Sequence, residues 1–285
     1  MMNSNKRVLI TGSNGFIGQH LIKSLCDTDI LAFDVQDGDI VNHDIQAENI
    51  SHIYHLAART SAPESWDIPY DYYNTNIMGT VNMLELCRKH NASLSFISTY
   101  PYGTPQYIPI NETHPTAPNT VYNHSKCLAE DICSFYATHY DVPITILRLF
   151  NVYGEGQSDK FLIPHIVKQA LFEPNIEVMD LEPQRDYVYI SDVIDALLLS
   201  QNGTGFRVYN VGSGETKSVK EVCECVNLVL GEKKSIVSKE KRRKNEVTNI
   251  VSDISKIRSE LGWTPKVSFD NGMKKMIDFY KSERA

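Results

Sequence analysis

The stretch RVLITGSNGFIG, Arg7 to Gly18, decides the fold. A short apolar run, Val8 to Ile10, leads directly into three glycines spaced G-x-x-G-x-x-G. Beyond them Ile17, Leu21, Ile22 and Leu25 recur at helical spacing. Strand, glycine turn and helix in that order make a phosphate-binding turn. Gly12 permits the tight turn, Gly15 lets backbone approach a pyrophosphate, and Gly18 lets the helix pack close to the strand. The helix start then offers free N–H groups and the positive end of its dipole.

Outward from this turn the same rhythm repeats. Short apolar runs at 30–33 (ILAF), 52–58 (HIYHLAA), 93–98 (SLSFIS) and 144–150 (ITILRLF) alternate with helical spacing over 72–89 and 121–140. Such alternation predicts parallel strands joined by crossover helices, an α/β, Rossmann-type doubly wound sheet. After Asn151 the rhythm loosens. RDYVYI (185–190) and RVYNV (207–211) read as strands and SVKEVCECVNLVL (218–230) as an amphipathic helix. The expected division is a dinucleotide-binding domain over 1–150, with part of 183–204 returning to it. A smaller mixed α/β substrate-binding lobe then takes 151–182 and 205–285.

Asp34 closes the second strand, where a carboxylate accepts hydrogen bonds from adenosine ribose hydroxyls and repels a 2′-phosphate. NAD(H) is therefore favoured, with NADP(H) as the alternative. Asp44 and Ile45 are expected at the adenine. The remaining candidate cofactor contacts are Asn14, Phe16 and Ile17 in the glycine turn, Leu56, Ala57 and Ala58 after the third strand, and Asn76. In VYNHSK, Tyr122 and Lys126 stand four apart, on one face of a helix. A phenol titrates near 10 in water, and a neighbouring ammonium favours its phenolate. Tyr122 can then exchange a proton with an alcohol or carbonyl while hydride moves.

The chain has 285 residues, 42% hydrophobic and 22% charged, with a net charge of −7. That is ordinary for a soluble protein of one large or two intimate domains, and it gives no footprint for nucleic acid. No apolar run has the length to span a membrane and no signal peptide is read at the N-terminus, so a cytoplasmic protein is expected. The six cysteines contain no C-x-x-C pair and are expected to be reduced thiols. No metal site is predicted.

The motifs TGSNGFIG, HLAA, NIMGTVNMLELC, YNHSK, RLFNVYG, QRDYVYISDV, YNVGSG and LGWTP together resemble the extended short-chain dehydrogenase/reductases of the NAD-dependent epimerase/dehydratase group, which act on nucleotide sugars. The resemblance runs over nearly the whole chain. It implies that Ser98, five residues ahead of Gly103 in ISTYPYG, bonds the reacting oxygen beside Tyr122. It also implies that Lys126 holds the nicotinamide ribose, that Thr99 and Tyr100 line the sugar pocket, and that Asn151, Arg185, Arg243 and Glu246 serve the nucleoside diphosphate. A homodimer is implied as well.

Dehydratases of the group carry Asp and Glu after the catalytic threonine, and the decarboxylases keep a glutamate there. Thr99 and Tyr100 are not acids, so two hydride-only reactions at C4 remain. One is reduction of an NDP-4-keto-6-deoxyhexose in deoxysugar precursor synthesis. The other is NDP-sugar 4-epimerisation with retained NAD. The short chain and the abbreviated link between FDVQDG and HIYHL lean to the reductase. A non-catalytic dinucleotide sensor is the reading from another class, and the presence of both Tyr122 and Lys126 weighs against it.

Overall fold

The computed structural model describes residues 7–241 and 247–282. Strand β1 (Arg7–Thr11) enters the glycine turn and helix α1 (Phe16–Ser24) leaves it. Then follow β2 (Asp29–Phe33), β3 (Ile50–His55), a 3-10 turn at Glu64–Trp66, α2 (Pro69–Tyr73), a π-helical turn at Asn74–Met78, α3 (Gly79–His90), β4 (Ser93–Thr99), α4 (Val121–His139) and β5 (Ile144–Leu149). Neighbouring pairs β1–β2, β1–β3, β3–β4 and β4–β5 are all parallel. The chain steps from β1 to β2 on one side and then to β3 on the other. That reversal opens a crevice at the carboxyl ends of β1 and β3, where such sheets bind ligands. Leu9, Ile53, Phe96 and Ile146 from four strands pack with Leu84 and Cys87 of α3 and Cys133 of α4 in the core.

The chain continues through β6 (Asn151–Tyr153), α5 (Leu162–Phe172), β7 (Asn175–Val178), β8 (Gln184–Tyr189), α6 (Ile190–Ser200) and β9 (Phe206–Val211). Strand β9 lies beside β5 and completes a six-stranded sheet ordered β2-β1-β3-β4-β5-β9. The rest is β10 (Thr216–Ser218), α7 (Val219–Leu230), β11 (Ser235–Ser238), β12 (Asn249–Ile250), α8 (Ser255–Leu261) and α9 (Phe269–Ser282). A small sheet is built on β8, with β10, β12 and β6 as its partners, and β11 pairs with β7.

Contacts divide the chain into two units: 1–103, 112–149 and 194–210, and 104–111, 150–193 and 211–285. This differs from the expected boundaries in two places. Residues 104–111 join the second unit because Ile110 exchanges backbone hydrogen bonds with Val251 and Asp253. The returning segment is 194–210 rather than part of 183–204, because β9 is a sheet strand of the first unit while β8 organises the second.

In the second unit two buried carboxylates explain much of the motif pattern. Asp186 Oδ1 accepts from the Ser213 amide (2.6 Å) and hydroxyl (2.7 Å), and Oδ2 from the Gly214 amide (3.1 Å) and from Ser252. Asp192 accepts from the amides of Lys266 and Val267, both at 3.1 Å, and its carbonyl takes the Trp263 indole at 2.9 Å. QRDY, NVGSG, ISDV and LGWTP are therefore held together by hydrogen bonds within this unit.

Candidate active site

The glycine turn is built as its spacing requires. Gly12 has φ +68°, and a Cβ there would lie 2.8 Å from the Ala57 amide nitrogen, just past β3. A Cβ on Gly18 would lie 2.3 Å from the Gly12 carbonyl oxygen. Gly15 stands at the N-cap of α1, and no side chain caps that helix. Its first amides therefore keep their hydrogens for a ligand. Asn14, Phe16 and Ile17 lie in the same turn. Asp34 follows β2 and its carboxylate accepts from the amides of Asn14 and Val35, each at 2.8 Å, which fixes the acid against the turn. Open helix amides, a Cβ-free approach and a ribose-seeking acid fit a dinucleotide.

Leu56, Ala57 and Ala58 follow β3 at the same edge. The Leu56 amide bonds the Thr11 carbonyl at 3.2 Å and the Ala57 amide bonds the Thr11 hydroxyl at 3.2 Å. Asp44 and Ile45 stand against α3, lining a cavity of about 240 Å³ with Asn82, Met83, Glu85, Leu86 and Lys89. Ile45 is buried in the core.

Asn76 sits in the π-helical turn and is 1% exposed. Its amide nitrogen donates to the Arg59 carbonyl (3.1 Å) and to the Ser125 hydroxyl (2.9 Å), and its oxygen accepts from the Arg59 amide (2.9 Å). Ser125 in turn donates to the Tyr122 carbonyl at 2.8 Å. Sequence reading missed what fixes this turn to the sheet. Thr11 bonds His55 Nδ1 at 2.9 Å, His55 Nε2 bonds Thr80 at 3.0 Å, and Thr80 donates to the Asn76 carbonyl at 2.7 Å. Because the Thr80 hydrogen goes to Asn76, His55 carries its proton on Nε2 and accepts from Thr11. Burial, with the Lys126 charge adding to it, lowers His55 to about 3, so the ring is neutral and this arrangement is kept.

Helix α4 is capped by Thr120, whose hydroxyl accepts from the Asn123 amide at 3.0 Å. The cap sets the first turn, which carries Tyr122. Burial pushes the Tyr122 phenol up to about 12, while a hydrogen bond from Thr99 acts the other way. Tyr100 and Tyr72 lie close enough to raise it further. Lys126 is buried, with its ammonium 3.9 Å from the centre of the Phe96 ring. Burial lowers it to about 7, opposed by Cys133 and Glu130.

Ser98 is not where the count from Gly103 puts it. Its hydroxyl donates to Glu130 and it is 2% exposed, so it turns into the interior. Thr99, the last residue of β4, is the hydroxyl near enough to the Tyr122 phenol to lower it. Alternation along SLSFIST separates the two hydroxyls, Ser98 on the face of Leu94 and Phe96 and Thr99 on the other, but it does not say which of them reaches Tyr122.

The expected diphosphate residues belong to the second unit. Asn151 donates to the Asp186 carbonyl at 3.1 Å. Arg185 Nη1 donates to the carbonyls of Gln184 and Val247, both at 2.8 Å. Arg243 and Glu246 lie outside the described residues. All six cysteines are free thiols. Among the described residues no cluster could hold a metal ion and no helix is long and apolar enough to cross a membrane.

Residues 27–276 match the family model described as GDP-mannose 4,6 dehydratase. A protein of Methanocaldococcus jannaschii named putative UDP-glucose 4-epimerase is 30% identical over 303 residues, covering 96% of this chain and 98% of that one. The GDP-6-deoxy-D-mannose reductase of Pseudomonas aeruginosa is 26% identical over 298 residues, 97% of this chain and 98% of that one. The solved structure of MoeE5 in complex with UDP-glucose and NAD matches with a TM-score of 0.92 at 26% identity, over 98% of this chain and 100% of that one.

Proposed function

The chain belongs to the NAD-dependent epimerase/dehydratase family, whose members are nucleotide-sugar epimerases, dehydratases and reductases, and we propose that it moves hydride between NAD(H) and C4 of a nucleotide-diphosphate hexose. The observation that carries this reading is the place of Thr99, the last residue of β4, beside the Tyr122 phenol at the start of α4. It pairs the hydroxyls of a hydride-transfer site in a segment without the carboxylates that dehydration needs. The acid at Asp34 favours NAD, which MoeE5 also holds.

A bound nicotinamide supplies the position that accepts and returns hydride. Tyr122 exchanges the proton of the C4 oxygen. With its phenol pushed up to about 12, it rests protonated and is ready to donate to a carbonyl. Taking a proton from an alcohol requires positive charge nearby, which Lys126 and an oxidised nicotinamide provide. Thr99 orients the phenol and bonds the same substrate oxygen, the role that resemblance assigned to Ser98. Asn151 and Arg185 serve the diphosphate.

Of the two C4 reactions we favour 4-epimerisation with retained NAD. Chain length leaned toward reduction, yet a relative named as a putative epimerase aligns over 98% of its own length with 96% of this chain. The ketoreductase remains the second reading, supported by full-length similarity to GDP-6-deoxy-D-mannose reductase. The test is to incubate purified protein with UDP-galactose alone, and separately with dTDP-4-keto-6-deoxyglucose and NADH. Epimer interconversion without added cofactor supports the first reading. Stoichiometric loss of NADH absorbance with the keto sugar supports the second and overturns the first. Tyr122→Phe is expected to abolish hydride transfer while dinucleotide binding survives, and near-normal turnover in that variant sinks both.

A further inference from the structure

We propose that the buried Ser98–Glu130–Arg148 cluster is a positioning device that delivers Thr99 to Tyr122, an inference that rests on the reading of Thr99 given above. Ser98 and Arg148 are register partners on β4 and β5, and Thr99 pairs with Leu149. Both Ser98 and Arg148 turn to one carboxylate. Glu130 accepts the Ser98 hydroxyl and a fork from Arg148, with Nε at 3.2 and 3.1 Å and Nη2 at 2.7 Å. Ser98, Glu130 and Arg148 are 2%, 6% and 8% exposed.

Glu130 stands eight residues after Tyr122 and four after Lys126, so the three share a face of α4. One carboxylate thus holds two strands to the helix that carries the tyrosine. The placement of both residues depends on it: that of Thr99 on β4 through Ser98, the residue before it, and that of Tyr122 on α4 through Glu130 itself. Arg148 also fixes the chain beyond Thr99. Its Nη1 donates to the Tyr102 hydroxyl at 3.0 Å and the Glu112 carbonyl at 3.3 Å. Tyr102 donates to Asn210 Oδ1 at 2.6 Å, and the Asn210 amide donates to Glu112 Oε1 at 2.7 Å. Thr99 is therefore bracketed by two anchored residues, Ser98 and Tyr102, that meet the same guanidinium–carboxylate pair.

A buried ion pair of this kind is weak as a source of stability, since its charges lose hydration, and apolar replacements of both partners are often neutral. Its geometry, with three hydrogen bonds from one guanidinium, is suited to orientation instead.

The test is the double variant Glu130→Gln/Arg148→Met, which removes both charges and orphans neither, assayed with UDP-galactose or with dTDP-4-keto-6-deoxyglucose and NADH, whichever the wild-type protein turns over. The expected result is folded protein with NAD affinity and KM near wild type and kcat lowered about 10- to 100-fold, the scale of a small misplacement of reacting groups. In a Thr99→Val background the same double substitution is expected to cause no further loss, which a merely structural role would not produce. Wild-type kcat in the double variant, or an equal loss in both backgrounds, overturns the proposal. Should the double variant fail to fold, Ser98→Ala, which keeps the ion pair, takes its place: kcat is expected to fall with KM unchanged, and wild-type kcat overturns the proposal. Thr99→Val at wild-type kcat overturns the reading of Thr99 itself, whereas an impaired Thr99→Val with an unaffected Glu130→Gln/Arg148→Met overturns the positioning alone.

Discussion

Thr99 and Ser98 are adjacent hydroxyls with opposite fates. The interior-facing one is consumed by Glu130 and the other is left for the phenol of Tyr122. Removing the Thr99 hydroxyl as Thr99→Val is expected to cost about 10²- to 10⁴-fold in kcat, the range of a positioned acid–base partner, read in steady-state assays. Ser98→Ala is expected to cost less, because it acts one step removed. Tyr122 and Lys126 were legible as a pair on one helix face from their four-residue spacing. A count to a downstream glycine says nothing about which way a strand residue points, so it could not show that Ser98 turns to Glu130. Parity along the strand separates the two hydroxyls, since successive side chains alternate faces, and the fold decides which of them reaches Tyr122. His55 escaped the sequence reading for a different reason. Its two partners, Thr11 and Thr80, are 44 and 25 residues away, and only folding brings them to the ring.

At the level of elements, the strand–turn–helix at the N-terminus carries the cofactor reading. Gly18→Ala would place a methyl 2.3 Å from the Gly12 carbonyl oxygen and 2.7 Å from the Ser13 carbonyl oxygen. Both are backbone atoms, so the turn must shift. The expected outcome is at least a tenfold loss of NAD affinity by titration calorimetry, with about 1–3 kcal/mol lost in stability from overpacking. Helix α7 makes a contrasting case. Ser218 accepts from the Glu221 amide at 3.1 Å and the Glu221 carboxylate accepts from the Ser218 amide at 2.7 Å, a complete capping box. Ser218→Ala is expected to destabilise by about 1 kcal/mol in urea denaturation and to leave turnover unchanged. The strands and helices of the first unit were legible because apolar period and glycine punctuation agree there. The second unit was harder. Its strands are as short as two or three residues and are organised by Asp186 and Asp192, whose partners are 27 to 75 residues distant.

For the molecule as a whole, acid is the predicted weakness. Burial holds His52 and His55 neutral in the fold, each lowered from 6.5 to about 3. Between those values the unfolded chain binds more protons than the native one, so stability rises with pH there. The contribution of these rings is complete above about 6.5 and is lost as pH falls toward 3, by up to about 1.4 kcal/mol per pH unit for each ring. Asp186 opposes this: burial raises its carboxyl, so acid relieves part of its cost. Urea midpoints are expected to fall steadily from pH 7 to pH 4, and less steeply in His52→Gln. A flat profile would show that the buried rings do not govern acid stability. The sequence by itself determined the doubly wound sheet, the dinucleotide turn, the Tyr122–Lys126 pair and the family, because each is written in local period and spacing. The tertiary structure decided which hydroxyl meets Tyr122, how His55 ties the glycine turn to Asn76, and where β9 returns. Those depend on side-chain direction and on contacts between residues far apart in the chain, which no local pattern encodes.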